Sequence, residues 1–227
     1  MPPRFPLVVA AALLLAGPVL PSVARADVTV EDYAVYHKLG RRYMIEEKWS
    51  LAVEQLEKAI AAKNDDDQVW TDLGDALAVD ARGVRFGSET QNAKAADAYR
   101  RAAQLNPGSG RAWNNLAWLL AKTKTSLDEA LTAAKRAVEV DEARAGYLDT
   151  LAEVHFARGE LADAVDLEDR ARSLDPNDAY LQKQYERFLT AQAEPTPTPT
   201  PAAKHPATKA TAKKGGAAVK KNGKGKK

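Results

Sequence analysis

The chain has 227 residues, 45% apolar and 28% charged, with no Cys and three His. That length supports one or two packed domains, and the lack of Cys excludes a disulfide scaffold, a cysteine zinc site, a thiol nucleophile and a lipidated N-terminal Cys. The net charge of +2 is unevenly spread: residues 193–227 carry nine Lys and one acid, Arg4 and Arg25 add two positive charges before residue 27, and 27–192 are left at −8.

Residues 1–26 read as an export signal. Arg4 precedes an apolar run from Leu7 to Leu20, and Ala24-Arg25-Ala26 has the small-x-small form of a cleavage site. The run is about 14 residues and is interrupted by Gly17-Pro18, whereas a spanning helix needs about 20. The expected mature chain starts near Asp27, has no transmembrane segment, and is exported to a bacterial periplasm or the exterior. A chain without Cys suits such an oxidising compartment.

The next 166 residues are expected to be helical. Ten of the 12 Pro lie in 1–26 and 193–227, leaving only Pro107 and Pro176 in between. Proline inside a helix costs roughly 3 kcal/mol, so its scarcity, with abundant Ala, Leu, Glu, Lys and Arg, predicts helices. After Gln192 the composition changes. Residues 194–201 alternate Pro and Thr after Glu194, and Lys, Ala and Gly follow with no aromatic. Such a segment cannot bury enough apolar surface to order itself and reads as extended, then disordered.

The helical block repeats. Leu39-Gly40 recurs as Leu73-Gly74, Leu116-Ala117 and Leu151-Ala152, at steps of 34, 43 and 35. Two alanine columns, Ala52/Ala95/Ala130/Ala164 and Ala59/Ala102/Ala137/Ala171, step by 43, 35 and 34. One period of 34 with two local insertions satisfies all three columns. Small residues at fixed places, with large ones a turn away, describe paired helices stacked into an array. Tyr36, Trp70, Trp113 and Leu148 form a large column in the first helix, and Tyr43, Leu77, Leu120 and His155 follow one turn later. In the second helix, Leu56, Tyr99, Ala134 and Glu168 lie between the alanines, and Pro107 and Pro176 sit at its end.

This pattern resembles the tetratricopeptide repeat family. The resemblance implies an all-α, right-handed α-solenoid with repeats at 33–66, 67–109, 110–144 and 145–178, a capping helix at 179–192, and the tail at 193–227. His155 and Glu168 depart from the large apolar pattern, so the fourth repeat is expected to pack less tightly. A cap is needed because the last repeat otherwise exposes its apolar face.

No hydrolase elbow, zinc-protease motif, dinucleotide fingerprint or intact P-loop is present. No cofactor or metal is expected, and no enzyme. The feature that would argue for one is a buried carboxylate pair, or a His–carboxylate pair, in the groove. The resemblance implies protein binding on a concave face lined by the first helices. It places there His37, Arg41 and Met44; Gln68, Thr71 and Asp75; Arg111, Asn114, Trp118 and Lys122; and Asp149, Glu153 and Phe156. The lysine–asparagine clamp of one subtype is absent, because Thr71 and Asp75 occupy two of its places. Trp118 lies five residues after Trp113 and points elsewhere on the helix, either as an exposed anchor for a partner side chain or packed against the first helix of the fourth repeat. Residues 80–94 form the main insertion, with Phe86 between Gly83 and Gly87 at its tip.

The function expected is an exported scaffold that holds a segment of a partner protein in its groove. The alternative is an envelope-anchoring or polyanion-binding protein acting through its tail, where Lys213-Lys214, Lys220-Lys221 and Lys226-Lys227 would meet anionic lipid or envelope polymer. Export and the lack of aromatics in the tail argue against nucleic acid as its target.

Overall fold

The computed structural model describes residues 32–80 and 82–193. The expected export signal, the Pro/Thr run and the lysines of the tail lie outside the described residues. Among those described there are nine helices and no strand: α1 (Tyr33–Ile45), α2 (Trp49–Ala62), α3 (Asp67–Leu77), α4 (Glu89–Leu105), α5 (Gly110–Thr123), α6 (Leu127–Val140), α7 (Ala145–Arg158), α8 (Leu161–Leu174) and α9 (Ala179–Ala193).

Local chemistry sets the ends. The Asp66 carboxylate accepts from Gln68 N and so caps α3. Ser88 does the same for α4 through Gln91 N. Gly159, at φ +82°, ends α7 in the left-handed conformation that glycine adopts without strain. Pro107 and Pro176 each follow the second helix of a pair by two residues.

Four helix pairs stack, and α9 covers the last. Every member of the two alanine columns is 0% exposed, which makes those columns the line of closest approach between paired helices. A Cβ on Gly40 would come within 3.0 Å of Leu56, and one on Gly74 would collide with the Tyr99 ring. Trp70 and Trp113 repeat one contact: each indole Nε1 donates at 2.9 Å to the carbonyl six residues back, on Asn64 and Pro107. The first helices α1, α3, α5 and α7 touch in succession, forming the inner layer of the array.

The fourth repeat is closed rather than loose. Leu148, Val154, Ala164 and Ala171 are buried, and Glu168, expected to weaken the packing, is wholly enclosed. The insertion is also more ordered than a simple extended turn. α4 starts six residues before its first column alanine, Ala95, whereas α2, α6 and α8 start three before theirs, so part of residues 80–94 is helix. Before it, the buried Asp80 carboxylate accepts from Arg82 N and Val84 N and binds the Arg82 guanidinium at 2.6 Å. Phe86 N donates to Ala78 O, closing the turn.

Candidate interaction groove

The first helices present charged side chains toward one another across the inner layer. His37 of α1 meets Asp72 of α3 at 2.9 Å, with Arg41 at 3.7 Å from the same carboxylate. Arg111 of α5 reaches back to Asp72 at 2.8 Å and Asp75 at 2.5 Å. Asp75 also accepts from Asn115 of α5 (2.8 Å) and Tyr99 of α4 (2.7 Å). Further on, Lys122 of α5 lies 3.1 Å from Glu153 of α7, and Glu153 is paired with Arg187 of α9. The result is a polar seam linking α1, α3, α5, α7 and α9.

The seam tunes its own charges. Burial works against ionisation of Asp72, but the His37 hydrogen bond and the Arg111 charge outweigh it and hold the carboxyl below the usual aspartate range. Arg111 is likewise opposed by burial and held charged by Asp75 and Asp72. At the far end the balance reverses: burial, then the Glu153 charge, push Asp149 up to about 6.

Of the groove residues proposed from sequence, His37, Arg41, Asp75, Arg111, Lys122 and Glu153 are rungs of this seam. Asp149 is 7% exposed, and its buried Oδ1 has no partner. Asn114 is half-buried with its Oδ1 unpartnered. Trp118 is half-buried and covered by the insertion rather than fully open, with Phe86 edge-on at 5.0 Å between centroids and the Arg85 guanidinium 4.6 Å above its ring. Phe156 is matched by Phe188 at 4.8 Å, with Arg187 over both rings at 4.6 Å. Thus two Arg-Phe dipeptides, 85–86 in the insertion and 187–188 in α9, lie on the two groove aromatics.

Sequence reasoning passed over Asp72, Asn115, Arg85 and Arg187. No periodic column contains them, and only their acid–base complementarity across helices gives them a role. Glu168 was visible as the one carboxylate in an otherwise apolar or aromatic column.

A His–carboxylate pair (His37–Asp72) and a buried pair of acids (Asp149 and Glu168) are both present, so the feature that would argue for catalysis exists in outline. Asp72 is committed to Arg111 as well as His37. His155 Nδ1 and one carboxylate oxygen each of Glu160 and Asp163 lie within 4.8 Å of one another, a spacing that could hold a metal. Those donors are used internally: His155 bonds Glu160 at 2.7 Å, and Glu160 also holds Arg158. Among the described residues no helix is long and apolar enough to cross a membrane.

Residues 81–147 and 123–179 match the tetratricopeptide repeat family. The array has the helix-pair solenoid fold of tetratricopeptide repeats, and residues 81–179 of it are similar to that family. Solved structures with the same architecture include MamA (from residue 41) of Desulfovibrio magneticus, at 16% identity and TM-score 0.57 over 71% of this chain and 92% of that one. A thermophilic tetratricopeptide protein of Thermus thermophilus gives 20% and 0.58 over 70% and 82%. YrrB, a tetratricopeptide protein with an unusual peptide-binding site, gives 22% and 0.56 over 68% and 74%. At these identities the likeness is one of fold. No curated protein matches the sequence at a significant level. Tetratricopeptide repeats are in general interaction scaffolds, and the fold supports a protein-interaction role here.

Proposed function

We propose that this array is an exported scaffold whose concave groove takes an extended or helical segment of a partner protein. The observation that carries the reading is the continuous inner layer of first helices, along which Arg41, Arg111, Asn114, Trp118, Lys122 and Phe156 offer charge, amide and aromatic surface. The Arg41 side chain is 64% exposed and sits 3.7 Å from its acid, so it can turn to a ligand at little cost. Trp118 and Phe156 add stacking area at two separated points. The peptide-binding site of YrrB, on the same fold, supports a peptide as the ligand class. Export rests on residues 1–26 and on the absence of Cys.

The test is capture by the full chain in its host, crosslinked and read by mass spectrometry, beside an Arg41→Glu/Trp118→Ala variant. A partner retained by wild type and lost by the variant at equal helicity is the expected result. Equal capture by both would take the binding surface out of the groove. Recovery of the protein only from the cytosolic fraction would refute export.

A further inference from the structure

Glu168 breaks the rule of its own column. Leu56, Tyr99 and Ala134 hold the equivalent place in the first three repeats, all buried. The fourth repeat puts a carboxylate there, 0% exposed, and neither oxygen has a hydrogen-bond partner.

No cation is bonded to it, and the group that reaches it is the carboxyl of Asp149. From α7 come Asp149, with Oδ1 also buried and unpartnered, and Glu153. From α9 comes Arg187, while Tyr180 of α9 and Lys122 of α5 stand on the far side, against Asp149 and Glu153. Both cations bind Glu153. The Tyr180 hydroxyl accepts from Gln184 at 2.6 Å, and burial followed by the Asp149 charge pushes it up to about 12, so it stays neutral. Three carboxylates therefore share a pocket with two cations, and the acid nearest the core has neither. An ionised Glu168 would bear the full cost of burial beside a like charge. A proton removes that cost and leaves three acids, one of them neutral, against two cations. Burial, then the Asp149 charge, push Glu168 up to about 8.

We propose that Glu168 and Asp149 form a proton-holding pair that keeps the capping helix α9 seated on the last repeat, and that loss of the proton in mildly alkaline solution loosens α9 and opens the acidic end of the groove. α9 is held there by Phe188, wholly buried against Phe156, by Leu181, and by the Arg187–Glu153 pair. A new charge on Glu168 adds repulsion behind Asp149 and Glu153 and favours any state in which α9 lifts and water enters. The sign follows from linkage. Both carboxyls hold protons more tightly when enclosed than when solvated. The seated state is therefore favoured in acid, and that advantage drains away as pH rises through the enclosed values. The bearing on partner binding rests on the groove reading above; the seating of α9 does not, and it is measured without a partner.

The experiment is hydrogen exchange on the full chain at pH 6 to 9, corrected for intrinsic exchange. Protection of α9 amides is expected to fall roughly 10- to 100-fold across that range in wild type. In Glu168→Gln the fall is expected to shrink to a few-fold, with α3 amides steady in both. Asp149→Asn should move the midpoint to lower pH, because the like charge is gone. Carbon-13 titration of the wild-type Glu168 carboxyl provides a readout independent of any variant, with an expected midpoint above 6. A midpoint near the ordinary glutamate value, steady α9 protection in wild type, or an equal fall in Glu168→Gln would each overturn the proposal.

Discussion

The second and fourth repeats both bury acids, and they handle them in opposite ways. Asp72, 3% exposed, is met by His37, Arg111 and Arg41, so donors from the repeats on either side carry its charge. Glu168, more deeply buried, has the Asp149 carboxyl beside it and no cation bonded to either oxygen. The fold is the same in both places, so the difference lies in whether neighbouring helices bring cations to the buried oxygen. The pH dependences are opposite as well. Asp72, held low, adds stability above the ordinary aspartate range and loses it as pH falls through its lowered value. Glu168, held high, adds stability in acid and loses it as pH rises.

The harshest way to break this comparison is to create a buried acid with no means of escape. Ala137 is 0% exposed in the contact line of α6, and its backbone is fixed between paired helices. Ala137→Glu is expected to cost about 3 kcal/mol or more, visible as a large drop in the thermal midpoint followed by circular dichroism. Gly74→Leu should come close to it, since its side chain would enter the space of the Tyr99 ring. An unchanged midpoint for either would mean that the helices do not pack along these columns.

Next in size is Asp72→Ala. It leaves His37 Nε2 without its acceptor and takes one of two carboxylates from Arg111 Nη2, which keeps Asp75, and is expected to cost about 1–3 kcal/mol at neutral pH. The gap between variant and wild type should narrow as pH is lowered, because wild type then loses the same carboxylate. Urea titrations at several pH values measure it; a gap that widens in acid would contradict the sign.

The legible part of this molecule is the part that repeats. Gly40, Gly74 and the eight column alanines are chosen by a steric need that recurs every 34 residues, so spacing alone exposes them. The pairing of His37 with Asp72, or Arg111 with Asp75, recurs nowhere. It depends on which side chains meet across a helix–helix crossing, and that geometry has no period. Trp118 shows the same limit: its place on the inner face could be read, but not that Arg85 and Phe86 of the insertion would fold onto it. The departure of Glu168 was legible; its complete burial was not, because a carboxylate in a core column more often signals a gap in the packing than an enclosed acid.

The comparison sharpens if the fourth repeat is made to resemble the others. Glu168→Leu restores the residue type of Leu56 and removes an unpartnered acid. It is expected to raise stability by about 1 kcal/mol near pH 8, and less at pH 5, where wild type is already neutral there. Denaturant midpoints at the two pH values decide it; a loss of stability at pH 8 would mean the carboxylate has a donor after all.

The smallest expected effect concerns the two Arg-Phe dipeptides. Phe86 belongs to an insertion found in the second repeat alone, while Phe188 belongs to the cap, yet each sets its ring against a groove aromatic and its arginine over the same ring. Their burial differs: Phe188 is fully enclosed, Phe86 only in part. Phe188→Ala should therefore act mainly through lost core, whereas Phe86→Ala isolates the ring contact with Trp118. A double-mutant cycle of Phe86→Ala and Trp118→Ala is expected to give a coupling of about 0.5–1.5 kcal/mol, the range for an edge-on aromatic pair. Because the Arg85 guanidinium lies over Trp118 at 4.6 Å as well as over Phe86 at 5.4 Å, Arg85→Ala combined with Trp118→Ala should show a smaller coupling that weakens with salt. Zero coupling in the first cycle would mean that the insertion does not rest on Trp118 in solution. The indole would then be free to meet a ligand directly.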